Sequence, residues 1–168
     1  MEDAIVNRVA ASGLITFNLE QHFPEGERKA VDISQGLFKG LVLKEKEFRS
    51  WIKELDINSY SDAHVAVYCS SDAIVPTWAY MLVSAKLTPV AKTLVFGTLD
   101  TLDTVLWEKA LSTLDIEAYR DQKMVIKGCG DLPVGPAAYS AITRLLTPVV
   151  KSIMYGEPCS TVPVFKKK

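Results

Sequence analysis

The chain has 168 residues, of which 48% are hydrophobic and 23% charged, and a net charge of −1. That size and balance suit one globular domain with a substantial core. They exclude a nucleic-acid binder that works by phosphate neutralisation, which needs a basic face. The only basic run, Lys166 to Lys168, reads as a solvated tail. The acidic opening Met1-Glu2-Asp3 is unlike a secretory leader. The longest uncharged run, residues 73–85, is too short to span a bilayer. The expectation is a cytoplasmic protein with no membrane partner. Three cysteines in a reducing compartment are then packing residues, metal ligands or reactive thiols.

In chain order, residues 13–18 and 30–33 read as two short strands. His22, Pro24, Glu25 and Gly26 make a turn between them. The pair is expected as antiparallel edge strands. Residues 44–55 carry Phe48, Trp51, Ile52 and Leu55 at helical spacing. Residues 65–68 form a short apolar strand. Residues 76–87 form an apolar helix with Pro76 in its first turn, and Thr88-Pro89 ends it. Residues 93–96 are the next strand. Residues 102–114 are helical, with Asp100 or Thr101 as a cap. Residues 124–126 are a strand, 136–146 a helix opened by Pro136, and 152–155 a strand. Residues 157–168, with Pro158 and Pro163, are a loop or an edge extension.

The second half of this list repeats the first. Residues 56–97 align with 115–156 without a gap, and 14 of the 42 positions are identical. Chance gives roughly two or three. The identities include Asp62/Asp121, Tyr80/Tyr139, Thr88-Pro89/Thr147-Pro148 and Gly97/Gly156. The fold class predicted is α/β. It is a mostly parallel sheet with flanking helices in a single domain, 1–168, with internal repeats 43–97 and 102–156 and antiparallel strands at the N-terminal edge.

Ligands of open α/β sheets bind beyond the carboxyl ends of the strands. Cys69, Cys129 and Cys159 each follow a predicted strand, so all three are expected at that edge. The repeat partner of Cys159 is Asp100. Cys69-Ser70-Ser71-Asp72 and Cys129-Gly130-Asp131 both lead into helices, whose positive ends favour a thiolate. Three thiolates suit zinc, completed by Asp72, Asp100, Asp131 or Glu157, or by water. An iron–sulfur cluster could use the same thiolates. The competing readings are a reactive thiol and plain packing. The two histidines, His22 and His64, do not suggest a histidine-centred catalyst. Tyr80 and Tyr139 read as core residues or tethered hydroxyls. No glycine-rich phosphate loop occurs.

Three segments carry a family resemblance. They are Asp72-Ala73-Ile74-Val75-Pro76-Thr77-Trp78-Ala79-Tyr80, Val125-Ile126-Lys127-Gly128-Cys129 and Gly156-Glu157-Pro158-Cys159-Ser160-Thr161-Val162-Pro163. Residues 5–10 and 23–28 add to it. With these the chain resembles, end to end, the bacterial family known as domain of unknown function 2480. That resemblance implies no established activity. It carries an expectation of iron–sulfur assembly proteins as partners, and so of an accessory role in metal or iron–sulfur homeostasis. The order of elements is also similar to STAS-like (anti-sigma-antagonist) domains. There Ser70 and Ser71 would sit in a partner-binding loop, and the protein would be an interaction module without metal. A thiol-dependent enzyme is the third expectation.

Overall fold

The computed structural model describes residues 13–168, so the segment 5–10 quoted above lies outside the described residues. Seven strands and four α-helices are described. They divide into two compact units, each with its own sheet.

The unit Glu25–Leu106 is continuous in sequence. It holds β2 (Arg28–Asp32), α1 (Glu45–Glu54), β3 (His64–Tyr68), α2 (Thr77–Leu87) and β4 (Thr93–Phe96). Its sheet has the order β2-β3-β4, all parallel, with Arg28 opposite His64 and His64 opposite Thr93. The central strand β3 is apolar on both faces, as a covered parallel strand must be. Val65 and Val67 pack against Phe48 and Ile52 of α1 and Ala79, Val83 and Leu87 of α2. Ala66 points the other way, onto Leu102 and Leu106 of α3 (Leu99–Leu111). α1 is amphipathic, with Phe48 and Ile52 buried. Glu45 and Glu47 stand in its first turn and Lys53 in its last, which suits the helix dipole.

The second unit combines the described residues up to Pro24 with Trp107–Lys168. The boundary falls inside α3. Its sheet has the order β1-β5-β6-β7. The strands are β1 (Leu14–Asn18), β5 (Lys123–Lys127), β6 (Ser152–Glu157) and β7 (Ser160–Lys166). β1, β5 and β6 are parallel, and β7 turns back antiparallel on β6. α4 (Pro136–Leu146) lays Ala138, Ile142 and Leu146 over Met124, Ile126 and Ile153. Trp107 and Leu111 of α3 complete this core.

The internal repeat is structural. β3 and α2 recur as β5 and α4 with both bounds displaced by 59 positions (His64 to Lys123, Thr77 to Pro136). Several identities have a backbone cause. Asp62 and Asp121 both adopt left-handed φ, 55° and 58°, which aspartate tolerates better than most side chains. Each donates its amide to the equivalent carbonyl, of Val90 or Val149, at 2.9 Å. Thr88 and Thr147 each return a hydroxyl to the preceding turn at 2.7 Å. Gly97 and Gly156 take φ of 134° and 115°, where a side chain would be strained.

The α/β class with mostly parallel strands holds, but two expectations change. The strands form two sheets rather than one. The N-terminal strands are parallel, not antiparallel: β1 pairs with β5 and β2 with β3. The turn at His22–Gly26 therefore leads from one sheet to the other and makes no hairpin. β1 and β2 are counterparts, since each pairs with the first strand of a repeat. Each ends in a 3₁₀ turn capped by its own last residue. Asn18 Oδ1 accepts the Glu20 amide at 3.1 Å, and Asp32 Oδ1 accepts the Ser34 amide at 3.0 Å. The duplication thus extends into a region where no identity signals it. Antiparallel pairing lies at the other end, in β7, where an edge extension was expected.

Leu87 and Leu146 are repeat partners and fully buried. Each leucine-to-alanine variant is expected to lose about 2–5 kcal/mol, the transfer and cavity cost of a core leucine. Urea unfolding measures it. A loss below 1 kcal/mol at either site would contradict the matched-core account.

Candidate functional site

The site is built where β5 ends. Gly128 is buried directly after the strand. A Cβ there would come within 3.0 Å of the Tyr139 hydroxyl and 3.1 Å of Val134. A Cβ on Gly130 would run into the Glu20 carboxylate. That carboxylate is itself engaged, accepting the Leu132 amide at 2.8 Å. Two glycines and one buttressing glutamate therefore set the path of the chain and leave Cys129 exposed between them.

Two tyrosine hydroxyls reach the Cys129 sulfur. Tyr155 Oη, at the end of β6, lies 3.2 Å from Sγ, and Tyr139 Oη, from the first turns of α4, lies 3.5 Å away. The two rings meet edge to face, 5.5 Å between centroids. Hydroxyls that donate to sulfur favour the thiolate. The Cys129 pKa is lowered, first by the Tyr155 hydroxyl, then by that of Tyr139, with the Gly128 amide adding to both. Slight desolvation and the Glu157 charge oppose the shift without cancelling it. Lys127, whose Nζ lies 3.3 Å from Glu157, tempers that opposing charge. Burial, followed by the hydrogen bond to Cys129, raises the Tyr139 pKa far above the ordinary phenol value. Tyr155 is also raised, chiefly by its hydrogen bond to Cys129. Both tyrosines therefore remain proton donors when the sulfur has given its proton up. The expected source of a thiolate was the start of the next helix. The structure supplies phenol donors instead, because α4 begins only at Pro136.

Cys129 stands at the side of an apolar groove of about 1030 Å³ between α4 and the β6–β7 hairpin. Val134, Tyr139 and Thr143 form one wall, and Tyr155, Val162 and Val164 the other. This volume lies just above the usual range for small-molecule sites.

The other unit carries the same groove in reduced form. Thr77, Tyr80, Met81, Ser84 and Phe96 line about 590 Å³ between α2 and β4. These are the repeat partners of Pro136, Tyr139, Ser140, Thr143 and Tyr155. Here the chemistry is missing. Phe96 has no hydroxyl where Tyr155 has one, and Ser70 stands where Cys129 does. The Ser70 hydroxyl and amide both donate to Asp32, at 2.6 and 3.0 Å. Burial works against the Asp32 charge, but these bonds and the Ser34 amide outweigh it and hold its pKa below the usual value. That cluster closes a loop.

The remaining predicted residues fall elsewhere. Cys69 follows β3, half-buried against its core, with Sγ 3.3 Å from the Ser71 hydroxyl. Cys159 is exposed in the turn between β6 and β7. Asp72 borders a shallow depression with Leu41 and Ile74. Asp100 stands in the first turn of α3, and Asp131 is exposed in the loop after Cys129. Cys69 belongs to one unit, and Cys129 and Cys159 to the other. Among the described residues, no group of three or more histidine, cysteine, aspartate or glutamate side chains is placed to hold a metal ion. Also among them, no helix is long and apolar enough to cross a membrane. His22 stacks on Phe17 at 4.8 Å, a packing role. Tyr155 and Glu20 were not singled out by sequence. The one available signal was the aromatic pair Phe96/Tyr155 at matched repeat positions.

In a Cys69→Ser, Cys159→Ser background, the rate of iodoacetamide alkylation should rise with pH through a midpoint below the ordinary thiol value of about 8.5. Tyr155→Phe should move that midpoint up, and Tyr139→Phe by less. A midpoint that stays in place in Tyr155→Phe would refute the assignment of the donor.

A family model described as "Protein of unknown function (DUF2480)" matches residues 3–167. No curated protein and no solved structure matches the chain. Over essentially its whole length, then, the chain belongs to the DUF2480 family.

Proposed function

We propose that the protein acts through the Cys129 thiolate, which captures an electrophilic carbon on a ligand whose apolar body lies in the adjoining groove. The observation that carries this reading is the pair of tyrosine hydroxyls converging on one exposed sulfur. A thiol whose proton is held less tightly, with two hydroxyls donating to its sulfur, relies less on a histidine base. In an acyl transfer the sulfur lone pair forms the S–C bond and the carbonyl oxygen takes up the electron pair. That pair returns as the leaving group departs with its own, which a proton from water then neutralises. Tyr139 and Tyr155, held protonated, are the donors nearest to the developing charge.

Decanoic and acetic p-nitrophenyl esters test it. The expected result is release of p-nitrophenolate with a decanoyl adduct on Cys129, found by intact mass and peptide mapping. Burying two methylenes of the tail, at ~0.8 kcal/mol each, already gives about a tenfold preference for the longer ester. Cys129→Ser should abolish the adduct, and Val162→Asp should remove the preference for chain length. Acylation spread evenly over the three cysteines would sink the proposal.

The same thiolate would be a soft metal ligand, which keeps zinc or an iron–sulfur cluster as the second reading, with iron–sulfur assembly proteins as partners. It expects stoichiometric zinc or iron in anaerobically purified protein and its loss in Cys129→Ser. Metal below a tenth of an equivalent, an order-of-magnitude threshold for a structural or catalytic site, would reject it.

A further inference from the structure

The two sheets differ at one edge. In the unit that carries Cys129, β7 lies antiparallel along β6, and its Val162 and Val164 close one wall of the groove. In the other unit β4 occupies the place of β6. Among the described strands its only partner is β3. The position held by Tyr155, 40% exposed, is held there by Phe96, 70% exposed. Met81, on the facing helix, is 65% exposed. An open strand edge beside exposed apolar side chains is a template for a further strand.

The duplicated unit shows what such a strand looks like. It runs antiparallel and presents apolar residues two positions apart to the groove, as Val162 and Val164 do. β4 has that pattern itself: Leu94 and Phe96 both face α2, Leu94 in the core beside it and Phe96 against Tyr80 at 5.0 Å between ring centroids. Val95 faces the other side, toward Leu102 and Leu106. Side-chain parity permits a self-pairing, centred on Val95, that sets all three apolar residues of β4 against apolar residues. Val95 stands opposite its own copy, and Leu94 opposite Phe96 of the second chain. In this register Leu94 of the second chain lies opposite Phe96 as Val162 lies opposite Tyr155, and its Phe96 lies opposite Leu94 as Phe165 lies opposite Ile153.

The edges also differ in how they are guarded. β7, the outer strand of the other sheet, carries Pro163 and a register shift against Ile153 and Met154. Both devices discourage further pairing. β4 contains neither proline nor charge in its four residues. The nearby Lys92 ammonium is turned to the Glu25 carbonyl at 3.4 Å.

We infer that the protein forms a two-fold dimer through antiparallel pairing of β4 with β4 of a second copy, joining two three-stranded sheets into one of six. An interface of this kind is isologous, since the same patch serves both partners. Sedimentation velocity of the full chain over a concentration series should show a species of twice the 18.5 kDa chain mass. Phe96→Arg, a change at an exposed position, should give monomer with an unaltered circular dichroism spectrum. Met81→Arg is the second variant, on the helix beside β4, should the first fail to fold. Val162→Arg, on the guarded edge, should remain dimeric. A wild-type monomer at every concentration would overturn the inference. So would a dimer that survives both Phe96→Arg and Met81→Arg, or one that is lost in Val162→Arg alone.

Discussion

The parallel ladder between β1 and β5 is the constraint on which the Cys129 unit rests. It sets Leu14 opposite Lys123 and Asn18 opposite Lys127. This register brings the 3₁₀ turn after β1 beside the loop after β5. Glu20 can then hold the Leu132 amide, and Leu19 can pack beneath Gly128. Without that pairing the Gly128-Cys129-Gly130 segment has no buttress. The sulfur would lose the position from which it meets both tyrosines. Closing so long a loop costs only slightly more entropy than closing a moderate one, so the arrangement is thermodynamically mild. Its demand is on the burial that follows, supplied by Phe17, Leu19, Met124 and Ile126 in one core.

The two copies of the repeat agree in their backbone and differ in their groove side chains. The backbone devices are kept in both copies: the left-handed aspartate, the threonine that returns its hydroxyl, the glycine after the last strand. The groove side chains are not. Three differences separate the Cys129 site from its counterpart: Cys129 against Ser70, Tyr155 against Phe96, and Glu20 against Ser34. In the counterpart the loop polar groups satisfy one another through Asp32. In the other, the two tyrosine hydroxyls and the Gly128 amide are turned to the thiol.

Sequence revealed the repeat, and with it the strands and helices inside the repeat, because ungapped identity and period agree there. It misled at the N-terminus. Two short strands around a turn containing His22, Pro24 and Gly26 look locally like a hairpin, and nothing local tells that each pairs with a strand far downstream. The same limit merged two sheets into one, and with them the strand ends bearing Cys69 and Cys129. Cys129 itself was legible, as a thiol between glycines after a strand. Its chemistry was not, since Tyr155 lies 26 positions away and an aromatic residue at a strand end reads as packing.

The interrupted path of the Cys129 unit bears on how the chain is made. Synthesis runs from the N-terminus, and domains tend to fold as their residues emerge. The unit Glu25–Leu106 is complete once its last residue leaves the ribosome. β1 emerges earlier, yet its partner β5 does not exist until Lys127 has been added. Throughout that interval the segment Leu14-Ile15-Thr16-Phe17 lacks the β5 partner it has in the folded structure. Transiently exposed apolar surface of this kind is prone to aggregation until its partner strand arrives.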